Sequence, residues 1–149
     1  MWGWATWARA WQHYDKAMTK WPEQRAAHWL DEWLDSRKEV RYWTGVFDAV
    51  HAGTVDTWDY QWIFASWMSA MMTIVPKVNL VSNIGYRSDA THTVHKSLWS
   101  DLGVGEMEFP LIHPNAVARD KRADELTNDL MFAKSPWNRV KNRLTRYFG

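Results

Sequence analysis

The sequence predicts an α+β fold that is mostly helical, on three observations. The first half carries apolar residues at helical spacing, the middle shifts to short extended runs broken by proline, and the last third returns to helical spacing. Strand–helix alternation, the mark of a complete nucleotide-binding sheet, is missing. The expected organisation is a single partial domain over 1–149. It is helical over 1–72, has short strands and a site loop over 73–115, and has C-terminal helices over 116–149.

Each element has a local reason. Trp4, Trp7, Trp11, Tyr14 and Met18 recur at three- and four-residue steps, the stripe of one helix, and this periodicity places Trp7 and Trp11 in the core. Pro22 suits the first turn of a second helix, which puts Trp29, Leu30, Trp33 and Leu34 on its apolar side. A third runs from about Lys38 with Val40, Trp43, Phe47 and Val50 in step, and Gly53 stops it. The most apolar helix spans Trp58 to about Met72, with Asp56 or Thr57 as its N-cap and Asp59 in its first turn. Ile74-Val75 and Val78 to Val81 read as extended segments on either side of Pro76. Gly85 to Pro114 is mostly loop, and helices over about 116–133 and 137–148 complete the chain.

Composition narrows the function. At 149 residues the chain is long enough to bury a core, and its charged fraction of 23% is that of a globular protein. A net charge of +1 gives no electrostatic argument for nucleic acid, and none is predicted as a partner. Without cysteine, disulfides and thiolate metal sites are excluded. The first residues lack the basic-then-apolar pattern of a signal peptide, and the longest apolar run, Trp62 to Val75, is too short to span a bilayer. The unusual number is tryptophan, 13 residues, which predicts an aromatic core, a sugar-stacking surface, or both.

Four segments, WGWATWARAWQHYD, DTWDYQW, PKVNLVSNIGYRSDATHT and MEFPLIHP, occur in this order over nearly the whole chain. Together they resemble the C-terminal, acceptor-side half of bacterial GT-A-fold, family 2-like glycosyltransferases, some of which carry a hemolytic-protein label. The plan is more distantly similar to the N-acetylglucosaminyltransferase I group. The resemblance implies an enzyme that moves a sugar from a nucleoside-diphosphate donor to a hydroxyl acceptor with inversion. It also implies a divalent metal, Mn²⁺ or Mg²⁺, in the complete enzyme. The Glu-Asp-Asp motif that holds metal and diphosphate in such enzymes has no counterpart before Trp2. The chain is therefore expected to be a fragment or truncated frame, inactive alone, binding no metal alone, and prone to self-association.

By motif position Asp59 is the candidate base that deprotonates the acceptor hydroxyl. Its alternative role is that of a first-turn residue stabilised by the helix dipole. Trp2, Gly3, Trp4 and Trp58 form the candidate sugar-contacting set, with core packing as the other reading of the indoles. Asn83 and Gly85 would line the site wall or, like Asn79, fix a turn. His92 would ligate the metal or meet the diphosphate, against the reading of a solvated loop histidine.

The basic helix around Arg139, Lys141, Arg143 and Arg146 suits either peripheral contact with an anionic inner membrane from the cytoplasm or an ordinary charged face. Two other functions compete with transfer. One is a non-catalytic Trp-rich carbohydrate-binding or protein-interaction module. The other is a hydrolase using Asp56 and Asp59, which sit too close along one helix to straddle a glycosidic bond.

Overall fold

The computed structural model describes residues 3–82 and 103–129. Its helices are α1 (Ala8–Trp11), α2 (Trp21–Ala26), α3 (Trp29–Trp33), α4 (Arg37–His51), α5 (Asp59–Met68) and α6 (Lys121–Thr127). The chain divides into two compact units. One joins Met1–Trp11 to Met72–Val117, and the other joins Gln12–Met71 to Ala118–Gly149.

The second unit holds every buried residue among those described: Met18, Trp21, Leu30, Trp43, Phe47, Val50, Gln61, Phe64 and Ala65. Phe47 is fully buried and meets four rings, Trp21 at 5.2 Å, Trp43 at 5.6 Å, Phe64 at 5.4 Å and Trp67 at 5.9 Å between centroids. Three of these contacts are edge-on, the arrangement that ring quadrupoles favour. Trp21 is buried with its indole N–H satisfied, donating to Asp48 Oδ1 at 3.0 Å. The same carboxylate accepts from Arg25 Nε at 3.2 Å, so α2 and α4 are joined by one acid.

α4 is the element most faithful to its sequence. Ser36 caps its start: the Ser36 hydroxyl accepts from Glu39 N at 3.2 Å and donates to Glu39 Oε2 at 2.8 Å. Gly53, at φ 71°, closes the other end, with Gly53 N bonded to Val50 O and Thr54 N to Ala49 O. Val50, Phe47 and Trp43 are buried on the expected face.

Three expected elements change. The stripe from Trp4 to Met18 does not make one helix. Asp15 accepts from Ala17 N at 2.9 Å, Thr19 N at 2.6 Å and the Thr19 hydroxyl at 2.6 Å. These bonds, led by that of the Thr19 hydroxyl, hold the Asp15 carboxyl below its usual range and fold 15–19 into a turn. Local side-chain bonds of this kind compete with helix. Met18 still reaches the core, from a left-handed backbone at φ 50°.

The second helix is broken in two at His28, φ 56°. Trp21 and Leu30 are two and a half turns apart at about 3.6 residues per turn, so a continuous helix would aim them in opposite directions. The break lets both be buried. α5 stops at Met68, short of the expected Met72, because Ala70 turns left-handed at φ 50° and Met71 N returns to Ser66 O at 2.9 Å.

In the first unit no described residue is buried. Trp7 and Trp11, assigned to the core by periodicity, are exposed, Trp7 at 61%. The strands expected at Ile74-Val75 and Val78 to Val81 are not formed, and the described residues contain no strand. Asn79 instead ties two irregular segments: its side chain donates to Gly103 O at 3.1 Å, and its carbonyl accepts from Gly105 N at 2.8 Å. A single backbone bond does not make a ladder. Residues 116–120 precede α6 without helix, and the rest of the two C-terminal helices lies outside the described residues. No helix among the described residues is long and apolar enough to cross a membrane.

Two predictions follow from this packing. Asp48→Ala strands the buried Trp21 N–H and should cost about 1–3 kcal/mol in urea unfolding, the usual penalty for a buried donor without a partner. Arg25→Ala removes only a half-exposed ion pair and should cost under about 1 kcal/mol; an equal loss from both would place the energy in the ion pair.

The second concerns alkaline stability. Burial, then the neighbouring Tyr60 phenol to which it is hydrogen-bonded, pushes the Tyr42 phenol well above its ordinary 10.0. Its neutral form is favoured in the fold, so this stability is fully present below the unfolded value and is lost as pH rises above it. Tyr42→Phe should flatten the fall in stability above about pH 10, as followed by unfolding at stepped pH. An unchanged profile would show that another group drives alkaline unfolding.

Candidate functional site

α5 begins with Trp58 as its N-cap, and Trp58 provides no side-chain cap bond. The expectation that Asp56 or Thr57 is the N-cap is therefore corrected: Asp56 is exposed and lies outside the helix. Asp59 is the first helical residue, half-buried, where the exposed peptide N–H groups favour an anion. The Thr57 hydroxyl and Tyr60 N, the latter at 2.9 Å, both donate to Asp59 Oδ1. Among the described residues no donor reaches Oδ2.

This arrangement divides the carboxylate. One oxygen is fixed by two donors and sets the orientation, while the other keeps lone pairs to accept a proton. Trp58, 42% exposed, is next in the chain. Tyr14 lies close enough to feel the charges of Asp15 and Asp59. Burial first, then those two acids, raise its phenol above 10.0. Sequence reasoning missed Tyr14 and Thr57, because the stripe assigned Tyr14 to a helix face and Thr57 to capping.

The other candidates fall in separate units or outside the described residues. Gly3 and Trp4 belong to the first unit, Trp58 and Asp59 to the second. Gly3 has φ 61°, and a Cβ there would run into Val81 Cγ2, so its missing side chain makes room for the chain itself. Trp4 stacks obliquely on Trp11 at 6.0 Å. Trp2, Asn83, Gly85 and His92 lie outside the described residues. Among the described residues no three His, Asp or Glu side chains are grouped as metal ligands.

A cleft of about 220 Å³ opens in the second unit, lined by Trp21, Arg25, His28, Trp29 and Thr44 among others. His28, where the helix breaks, lies on its wall. No protein family, curated protein or solved structure matches the chain.

Proposed function

We propose that the chain is the acceptor-side portion of a glycosyltransferase of GT-A type, which transfers a sugar from a nucleoside-diphosphate donor to a hydroxyl with inversion. The observation that carries this reading is the Asp59 carboxylate at the start of α5, held by two donors on Oδ1 with none on Oδ2 among the described residues. Asp59 accepts the acceptor hydroxyl's proton through Oδ2 as the oxygen attacks the anomeric carbon. The Trp58 face stacks on a pyranose ring and orients that hydroxyl. The four-segment resemblance supports the same assignment. The donor, its divalent metal and the diphosphate belong to a nucleotide-binding half, and the enzyme acts on the cytoplasmic side, against the membrane that carries lipid-linked acceptors.

A second reading has its own support. Trp4, Trp7 and Trp11 are exposed, and the Arg9 guanidinium sits 5.1 Å over the Trp7 ring. A non-catalytic saccharide-binding module would use indole faces in this way.

The test separates the two readings. In the complete enzyme Asp59→Asn keeps both Oδ1 bonds and removes the base, so turnover should fall about a hundredfold or more. Folding and donor KM should be unchanged. Thr57→Val, which frees the carboxylate to rotate, should give a smaller fall that Thr57→Ser restores. Near-normal turnover of Asp59→Asn would return Asp59 to a helix-start role. Saccharide binding that survives Asp59→Asn and is lost in Trp7→Ala, with no transfer in any form, would favour the module.

A further inference from the structure

Residues 118–129 belong to the helical unit, yet among the described residues none of them is buried against it. α6 contributes no buried residue, and its Leu126 is 60% exposed. The segment is organised from within by Asp120, which caps α6 by accepting from Ala123 N at 3.0 Å, and by the ion pair of Arg119 with Asp124. Among the described residues its side-chain links to the rest of the unit are charges. Lys121 Nζ lies 3.1 Å from Asp35 Oδ1, and Arg119 Nη2 lies 3.6 Å from Asp35 Oδ2. Lys38 Nζ lies 3.5 Å from Asp129 Oδ1. Asp35 thus has one strap cation on each oxygen, at the turn that leads into α4.

We infer that residues 118–129 are an electrostatic strap, held on the helical unit by Asp35 and Lys38 and released by salt while the aromatic core stays folded. All of these side chains are at least a third exposed, so each pair is individually weak and open to screening. Screening falls within about 10 Å at 0.1 M salt and about 3 Å at 1 M, which spans the distances of the exposed pairs. The core does not share this sensitivity. Its buried residues run from Met18 to Ala65 and are held by ring packing and aliphatic burial, which salt does not screen. The strap and the core therefore open separately, the strap at the low-stability end.

Amide hydrogen exchange of the full chain, read by mass spectrometry in low salt and at about 1 M NaCl, tests this. Exchange over 118–129 should quicken by roughly tenfold in high salt as the weak pairs are lost together. Amides of α4 and α5 should not change. Asp35→Asn, at an exposed turn, should quicken exchange of 118–129 at low salt and shrink the salt effect, leaving only the Lys38–Asp129 pair to be screened. Exchange over 118–129 that is the same in both salts, or that rises in step with α4, would overturn the strap. So would an Asp35→Asn chain that keeps the full salt response.

Discussion

The helical unit depends on burying one ring, Phe47, among four others. α2 has six residues and α3 five, far below the dozen or so at which an isolated helix becomes marginally stable in water. They persist because Trp21 and Trp29 each pack edge-on against Phe64, at 5.8 Å and 5.9 Å, while Phe47 fills the space between Trp21, Trp43 and Phe64. A core of large rings also has to satisfy indole N–H groups. That requirement explains why Asp48, a half-exposed acid, is placed on the same helix turn as Phe47.

The same packing fixes the candidate site. Phe64 and Ala65 anchor α5 in the core, and Asp59 stands about one turn and a half toward its start, half-buried. Gln61, between them, is buried, and its Oε1 has no partner among the described residues. A buried acceptor of this kind costs about 1–3 kcal/mol. The first unit is built on the opposite principle. Its described residues bury nothing, Ile112 is 97% exposed, and Asn79 holds its segments by hydrogen bonds.

Sequence reading succeeded where periodicity and caps agreed. In α4, Trp43, Phe47 and Val50 keep helical step, and Gly53 ends it as expected. It failed where a side chain captured the backbone, as Asp15 does, or where a non-glycine residue turned left-handed, as His28 and Ala70 do. Apolar spacing carries no trace of either event. The first-turn place of Asp59 was legible because a helix start favours an acid, whereas its candidacy as a base came from motif position. Its division into a held oxygen and an open one was not, since Thr57 shows its role only once the turn is folded. The aromatic count foretold a ring-packed core but not its location: Trp21 and Trp43 enter it, while Trp7 remains at the surface.

Urea unfolding of Phe47→Ala, followed by tryptophan fluorescence, tests the central dependence most directly. Removing a fully buried ring with four aromatic neighbours should cost about 3–5 kcal/mol. It should also melt α2 to α5 in one transition, with Trp21, Trp43 and Trp67 changing together. A loss below about 1 kcal/mol, or separate transitions for α2–α3 and α4–α5, would contradict the claim that this ring holds the unit together.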